Sequence, residues 1–250
     1  MPDLELVLLD EGSFDDIPGP AQPGARCQTC DYWERLDGGR DAPADAPDAA
    51  ARANLKRRRL LAGRDVAGPY AMLAYRTDAV ERIAVGYAQF GPLSAYPRAQ
   101  SIRERYPQLP ESPAPWVITC LQVTLAADER SSAAAELLEG VCEELDRRGI
   151  TAVEAYPEGA ADEWMPSPGP ASVYEATGFE RAAGDDRFPV YRRELTGETD
   201  ADAWSGLLRA SRPDDEGDEW PLPLPPPGDP DDLFRLPPEK PKRPNPFGDD

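Results

Sequence analysis

The clearest periodicity in the chain lies past its midpoint. Residues 132–148 place Ala134, Leu137, Leu138, Val141, Cys142 and Leu145 at helical spacing, so one apolar stripe faces inward. Gly149 follows where a left-handed stop is expected, and Arg147 and Arg148 complement the negative end of the helix. Upstream, "WVITCLQVTL" (116–125) is almost continuously apolar and rich in β-branched residues, which predicts a central strand. Downstream, "ITAVEAYP" (150–157) reads as the next strand. Strand, helix and strand joined by short loops make a right-handed crossover between parallel neighbours.

Around this unit the pattern is simpler. "PYAMLAYR" (69–76) and "IAVGYAQFGPL" (83–93) flank a polar turn and predict an antiparallel hairpin. The connection 96–115 has weak helical character. "PASVYEATGF" (170–179) predicts a short helix stopped at Gly178, and "FPVYRREL" (188–195) a last strand. The fold class is therefore α/β: a mixed sheet with antiparallel strands on one side, a parallel junction in the middle and flanking helices. Residues 1–26 are expected to be irregular, and 37–54 to be a polar loop entering a helix.

Composition divides the chain further. From Thr199 the sequence holds 12 of the 30 prolines and 13 acids against 6 bases. Such a segment buries too little apolar surface to offset its ordering entropy, so 199–250 is expected to be a disordered acidic tail. Its "WPLPLPPP" favours polyproline II, a form that protein modules recognise, or else it is inert. Residues 203–210 are expected to form a short helix within it. The formal charge of −20 argues against a nucleic-acid partner. No stretch is long and apolar enough to span a membrane, and the acids around Leu6–Leu9 do not suit a signal peptide, so a cytoplasmic location is expected. The basic run Lys56–Arg59 reads as a solvated helix face.

Cys27 and Cys30 have the spacing of half a zinc site or a redox pair. The sequence contains no histidine, and neither Cys120 nor Cys142 supplies a second such pair. No metal is expected.

The junction between the strand 116–125 and the following helix is the place for chemistry. Ligands of open sheets collect outside the carboxyl ends of the strands, and a helix opening there turns free N–H groups toward an anion. Small residues at Ser131–Ala135 would let a diphosphate approach the backbone.

The succession of elements resembles the GNAT-fold N-acetyltransferases. The likeness rests on "GYAQFGP", "WVITCLQV", "LLEGVCEELDRRGITAVEAYP" and "VYEATGF", with "CQTCDYWE" (27–34) similar to an element of one bacterial branch. It covers roughly residues 27–195, and the domain is expected to span 27–198. It implies acetyl-CoA as cosubstrate, held in a V-shaped opening between two parallel strands, its pyrophosphate on a loop of pattern Q/R-x-x-G-x-G/A. That pattern falls over Glu129, Arg130, Ser131, Ser132, Ala133 and Ala134, where glutamate and serine stand in for glutamine and glycine. The resemblance implies coenzyme contacts from Gln122, Val123, Leu125, Arg130, Ser131, Ser132, Ala133 and Ala134. It implies Tyr174 as general acid, although a core role suits that ring equally, and Glu154 or Gln122 as base or water relay. Trp33, Glu34, Tyr87 and Phe90 are candidates for the acceptor side, although aromatics at strand spacing are usually core.

The activity implied is N-acetylation of a small-molecule or protein amine by direct attack on the thioester. An acidic chain favours a cationic acceptor such as a polyamine, an aminoglycoside or a lysine-rich tail. The alternative is a GNAT-like binding module whose site has decayed and whose proline-rich tail recruits a partner.

Overall fold

The computed structural model describes residues 3–19, 26–36, 48–77, 81–157 and 168–196. Of the two units into which the chain divides, Met1–Gly206 and Leu207–Asp250, these belong to the first. The helix expected at 203–210 and the proline-rich segment lie outside them.

One sheet runs from β1 (Leu4–Leu8) through β2 (Ala71–Arg76), β3 (Ile83–Pro92), β4 (Trp116–Val123) and β5 (Ala152–Ala155) to β7 (Pro189–Glu194), with β6 (Glu180–Gly184) at the far edge. Every neighbouring pair is antiparallel except β4 and β5. The mixed sheet with a central parallel pair is the architecture the periodicity predicts.

Two strands depart from expectation. The N-terminal segment is not irregular throughout: β1 pairs along β2 from Leu4↔Arg76 to Leu8↔Met72. Its side chains are only partly buried, the pattern of an edge strand. β6 reads "ERAAG", too polar and small to announce itself, and is defined by pairing with β7.

Helices cover both faces. α1 (Ala49–Leu60) and α2 (Pro97–Arg103) pack on one face, over a core that includes Trp33, Leu60, Tyr87, Ala99, Val117 and Tyr156. α3 (Ala127–Arg147) and α4 (Ala171–Ala176) pack on the other, over Val85, Ile118, Leu121 and Val123. Leu137, Leu138 and Leu145 of α3 are completely buried. Each contributes roughly 1.5–3 kcal/mol of transfer free energy, so tertiary burial rather than intrinsic propensity fixes this helix. Gly140 lets α3 lie against β1, since a Cβ there would fall 2.3 Å from Leu6 Cδ1. Gly149 ends α3 at φ +75°, as predicted. Among the described residues no helix is long and apolar enough to cross a membrane.

Candidate active site

The central opening is produced by one extra residue. Phe90 pairs with Ile118 and Gln89 with Cys120, which leaves Thr119 as a bulge on β4. Pairing between β4 and β5 covers Trp116–Ile118 against Val153–Ala155 and stops at the same point. A bulge bends the strand that carries it, so β4 leaves β5 directly after their last pair. The Thr124 amide donates to the Val85 carbonyl at 2.9 Å, which sets the alternation along β4. By that alternation Gln122 turns its N–H and C=O toward β3, whereas Leu121 and Val123 turn theirs into the gap. Of the main chain expected at the coenzyme, Val123 opens into the gap. Gln122 bonds along β3 instead, and Leu121 opens into the gap.

The far side of the gap is close. A side chain at Gly169 would come within 3.4 Å of the Leu121 carbonyl oxygen. Tyr174 is fully buried, and its hydroxyl donates to the Pro168 carbonyl at 2.6 Å. The ring stacks on Tyr191 and meets Phe179 edge-on. Burial pushes the phenol well above its ordinary range, with the Cys120 and Cys142 thiols adding to the effect. Tyr174 is thus a core ring whose protonated hydroxyl is bound to the Pro168 carbonyl.

The expected phosphate loop is absent from its predicted place. α3 starts at Ala127, five residues before Ser132. With no glycine between 127 and 134, good helix formers carry the helix back to the end of the strand. The amides of Ser131, Ser132, Ala133 and Ala134 are therefore spent on i→i−4 bonds inside α3. Those of Glu129 and Arg130 donate to Ala126. Arg130 turns its Nε to the carbonyl of the buried Leu125, 3.2 Å away, and Glu129 lies 3.5 Å from Arg76. Asp128 and Glu129 occupy the first turn and already complement the positive helix end.

Glu154 is a hub, not a free base. It is fully buried; Oε2 accepts from Arg103 Nε at 3.0 Å and from the Tyr156 hydroxyl at 2.6 Å, and Oε1 accepts from Arg192 Nη1 at 2.8 Å. With both oxygens committed to two guanidiniums and a phenol, it ties α2 to β5 and β7.

A second buried ion pair was invisible to the sequence reading. Lys56, expected on a solvated face, is fully buried; its Nζ donates to Glu34 Oε1 at 2.5 Å and to Gln89 Oε1 at 2.7 Å. Gln89 Nε2 donates to the same glutamate oxygen at 2.9 Å. Burial pushes the ammonium's pKa down, but Glu34 and the neighbouring thiols raise it further, so the net shift is upward. The available signal was Lys56 four residues before Leu60, on the side of α1 that turns to the core. Glu34, Trp33 and Tyr87, expected to line an acceptor site, are core residues here, and Phe90 sits on the opposite face of the sheet beside Trp116.

Cys27 and Cys30 lie in a tight turn closed by amides of Thr29 and Cys30 on the Arg26 carbonyl. Burial raises both thiols above their ordinary value. Among the described residues no group of cysteines and carboxylates is arranged to hold a metal.

A cleft of about 320 Å³ opens where β5 ends, on the α2 face. Tyr156 and Pro157 lie on one side, with Tyr32, Leu36 and the α2 residues Arg98, Ser101 and Ile102 across from them; Arg105, Tyr106, Phe188 and Pro189 complete the lining. Arg98 stacks over Tyr32 at 3.9 Å and donates to the carbonyls of Tyr32 and Leu36, which fixes that wall.

No family model matches the sequence, and no curated protein matches it. Solved structures do. The C-terminal condensation domain of Ebony, in complex with beta-alanyl-dopamine, is similar over 78% of this chain and 100% of its own, with a TM-score of 0.50 and 10% identity. YncA of Salmonella typhimurium, described as an acetyltransferase and solved with acetyl-CoA, is similar over 77% and 94%, with a TM-score of 0.43 and 15% identity. Arylalkylamine N-acetyltransferase 2 from Aedes aegypti is similar over 78% and 100%, with a TM-score of 0.46 and 12% identity. Likeness at such identity speaks to the fold. The fold is GNAT-like: a mixed seven-strand sheet with a central parallel strand pair, flanked by helices.

Proposed function

We propose that the protein is an N-acetyltransferase that uses acetyl-CoA to acetylate a small-molecule amine. The observation that carries this reading is the bulge at Thr119. It parts β4 from β5 and presents the main chain of Leu121 and Val123 to a pantetheine arm, beside a cleft that suits an acceptor.

Acetyl-CoA supplies the activated acetyl group. Leu121 and Val123 orient its amide-rich arm by strand-like hydrogen bonds, and the rate comes largely from holding amine and thioester in register. The amine loses a proton to water in the open cleft, its nitrogen bonds to the acetyl carbon, and the C–S bond breaks. In this reading Tyr174, which is protonated and must first release the Pro168 carbonyl, gives a proton to the departing thiolate. Residues 27–198 form the catalytic domain of a cytoplasmic protein in this reading, and the tail 199–250 is a separate segment for a protein partner.

The fit to the coenzyme is uneven. The pantetheine arm has its donors and acceptors, whereas the diphosphate meets a helix whose amides are used from Glu129 onward and whose first turn is acidic. That observation favours the second reading, a non-catalytic GNAT-like module. Calorimetric titration separates the two. Acetyl-CoA and S-acetylpantetheine are expected to bind in the micromolar range within about tenfold of each other, since the nucleotide end gains little. Asp128→Asn is expected to tighten acetyl-CoA alone. Silence from both thioesters at millimolar concentration leaves only the module.

A further inference from the structure

The chain's overall charge points to a cationic acceptor; the cleft points the other way. Its described lining contains two guanidiniums, Arg98 and Arg105, and no carboxylate. A third, Arg187, lies 5.1 Å over the ring of Phe188 at the same wall. Among the described residues, the acids nearest in sequence are committed elsewhere. Asp186 pairs with Arg181 at 2.8 Å, Asp185 accepts the amides of Arg187 and Phe188, and Asp31 pairs with Arg52 at 3.1 Å. Glu104 faces the neighbouring cleft beside Gln100 and Pro107. At physiological ionic strength the Debye length is about 8 Å, so the distant acidic surface is screened from a ligand that touches these guanidiniums. Local charge decides the selection.

The lining differs in kind between its parts. Arg98 is held by the Tyr32 ring and two carbonyls. Arg105, just past the end of α2, is exposed and makes no side-chain hydrogen bond or ion pair among the described residues. Apart from Ser101 and two prolines, the remainder is apolar or aromatic: Tyr32, Leu36, Ile102, Tyr106, Tyr156 and Phe188. Leu36 and Phe188 stay 63% and 44% exposed, large apolar surfaces that an apolar ligand would cover. The volume, about 320 Å³, is at the lower end for small-molecule sites and suits a body of amino-acid size.

From this we infer that the acceptor is a small amine that also carries a carboxylate, with an apolar or aromatic body, and that Arg105 reads the carboxylate. An apolar α-amino acid is the simplest member of the class. The inference rests on the transferase reading and sharpens it. A guanidinium matches a carboxylate through two parallel N–H donors, a geometry that the ammonium of a polyamine cannot use and that repels it. The reaction balances as before: the acceptor ammonium gives up a proton, its nitrogen takes the acetyl group, and the C–S bond electrons leave with the thiolate, which is protonated.

Two measurements test it. With acetyl-CoA as donor, phenylalanine, tryptophan, methionine and leucine are compared with their amides and with the corresponding decarboxylated amines. At least one amino acid is expected to exceed its amide and amine counterparts in kcat/KM by tenfold or more. Arg105→Gln is expected to collapse that ratio toward one by raising KM, with Arg105→Lys restoring part of it. Separately, binding of the N-acetylated amino acids to the full chain is followed by ligand-observed NMR, which needs no turnover. The best of them is expected to weaken at least tenfold in Arg105→Gln.

The failures are distinguishable. Binding that depends on Arg105 without acetyl transfer to any amine removes the transferase reading and leaves the carboxylate site. Transfer that favours polyamines or the decarboxylated amines, or an unchanged KM in Arg105→Gln, overturns the inference and leaves the transferase. Silence of the whole panel in both measurements also overturns it.

Discussion

Replacing Lys56 by methionine tests whether the buried ion pair with Glu34 is as isolated from water as it looks. The side chains of Lys56 and Glu34 are only 4% and 3% exposed. At the Nζ–Oε1 separation of 2.5 Å, Coulomb's law with an effective dielectric of 20 gives an attraction of about 7 kcal/mol. Burying each ion costs several kcal/mol, so the intact pair nets little. Removing one partner is different. Glu34 would keep only the Gln89 amide on Oε1, and its Oε2 already has no hydrogen-bond partner. An uncompensated buried charge of this kind costs about 3–5 kcal/mol, a large share of the 5–15 kcal/mol typical of a domain. Equilibrium urea unfolding of Lys56→Met should show that loss. The double variant Lys56→Met, Glu34→Leu should recover most of it, giving a coupling of at least about 2 kcal/mol in the cycle. A loss below about 1 kcal/mol, or additive effects of the two changes, would refute the reasoning by showing that water reaches the carboxylate.

Two further outcomes follow from the geometry. Burial, with hydrogen bonds to Asp16 and Glu175, pushes the Tyr75 and Tyr191 phenols up to about 12, and burial brings the Cys142 thiol to about 12. The folded chain therefore holds protons that the unfolded chain releases from about pH 9 upward, so stability should be full below that point and fall steadily toward pH 12. Urea midpoints that stay flat to pH 11 would contradict this. Gly178 and Gly184 both have positive φ, but a Cβ at 178 meets nothing whereas one at 184 falls 2.1 Å from the Phe188 carbonyl. Gly178→Ala should cost about 1–2 kcal/mol from backbone strain alone, and Gly184→Ala more, with weakened acceptor binding as the β6–β7 turn shifts Phe188. Thermal melts and product titration rank the two, and equal costs would be the wrong result.

What could be read from the letters was the part stabilised locally. The stripe of α3, the apolar run of β4 and the stop at Gly149 each carry their signal within a few turns of chain. β1 escaped because an edge strand is only half-buried, and β6 because "ERAAG" lacks apolar alternation and is held by its partner. The site was legible in outline and misread in detail for the same reason. Pattern matching assigned Ser131–Ala134 to a phosphate loop, yet without glycine their propensity carries the helix through. The hub at Glu154 draws Arg103 from α2 and Arg192 from β7, and Lys56 finds Glu34 across 22 residues; no local window shows either. Thr119 looked like any other residue of its strand, since a bulge is a property of the pairing.

That bulge says something about how such an opening tolerates change. Its width depends on how many residues β4 inserts opposite Gln89 and Phe90, not on what those residues are. Side chains along the seam can be exchanged almost wholesale while the aperture persists, whereas deleting a single position would bring the two central strands back into step and seal it.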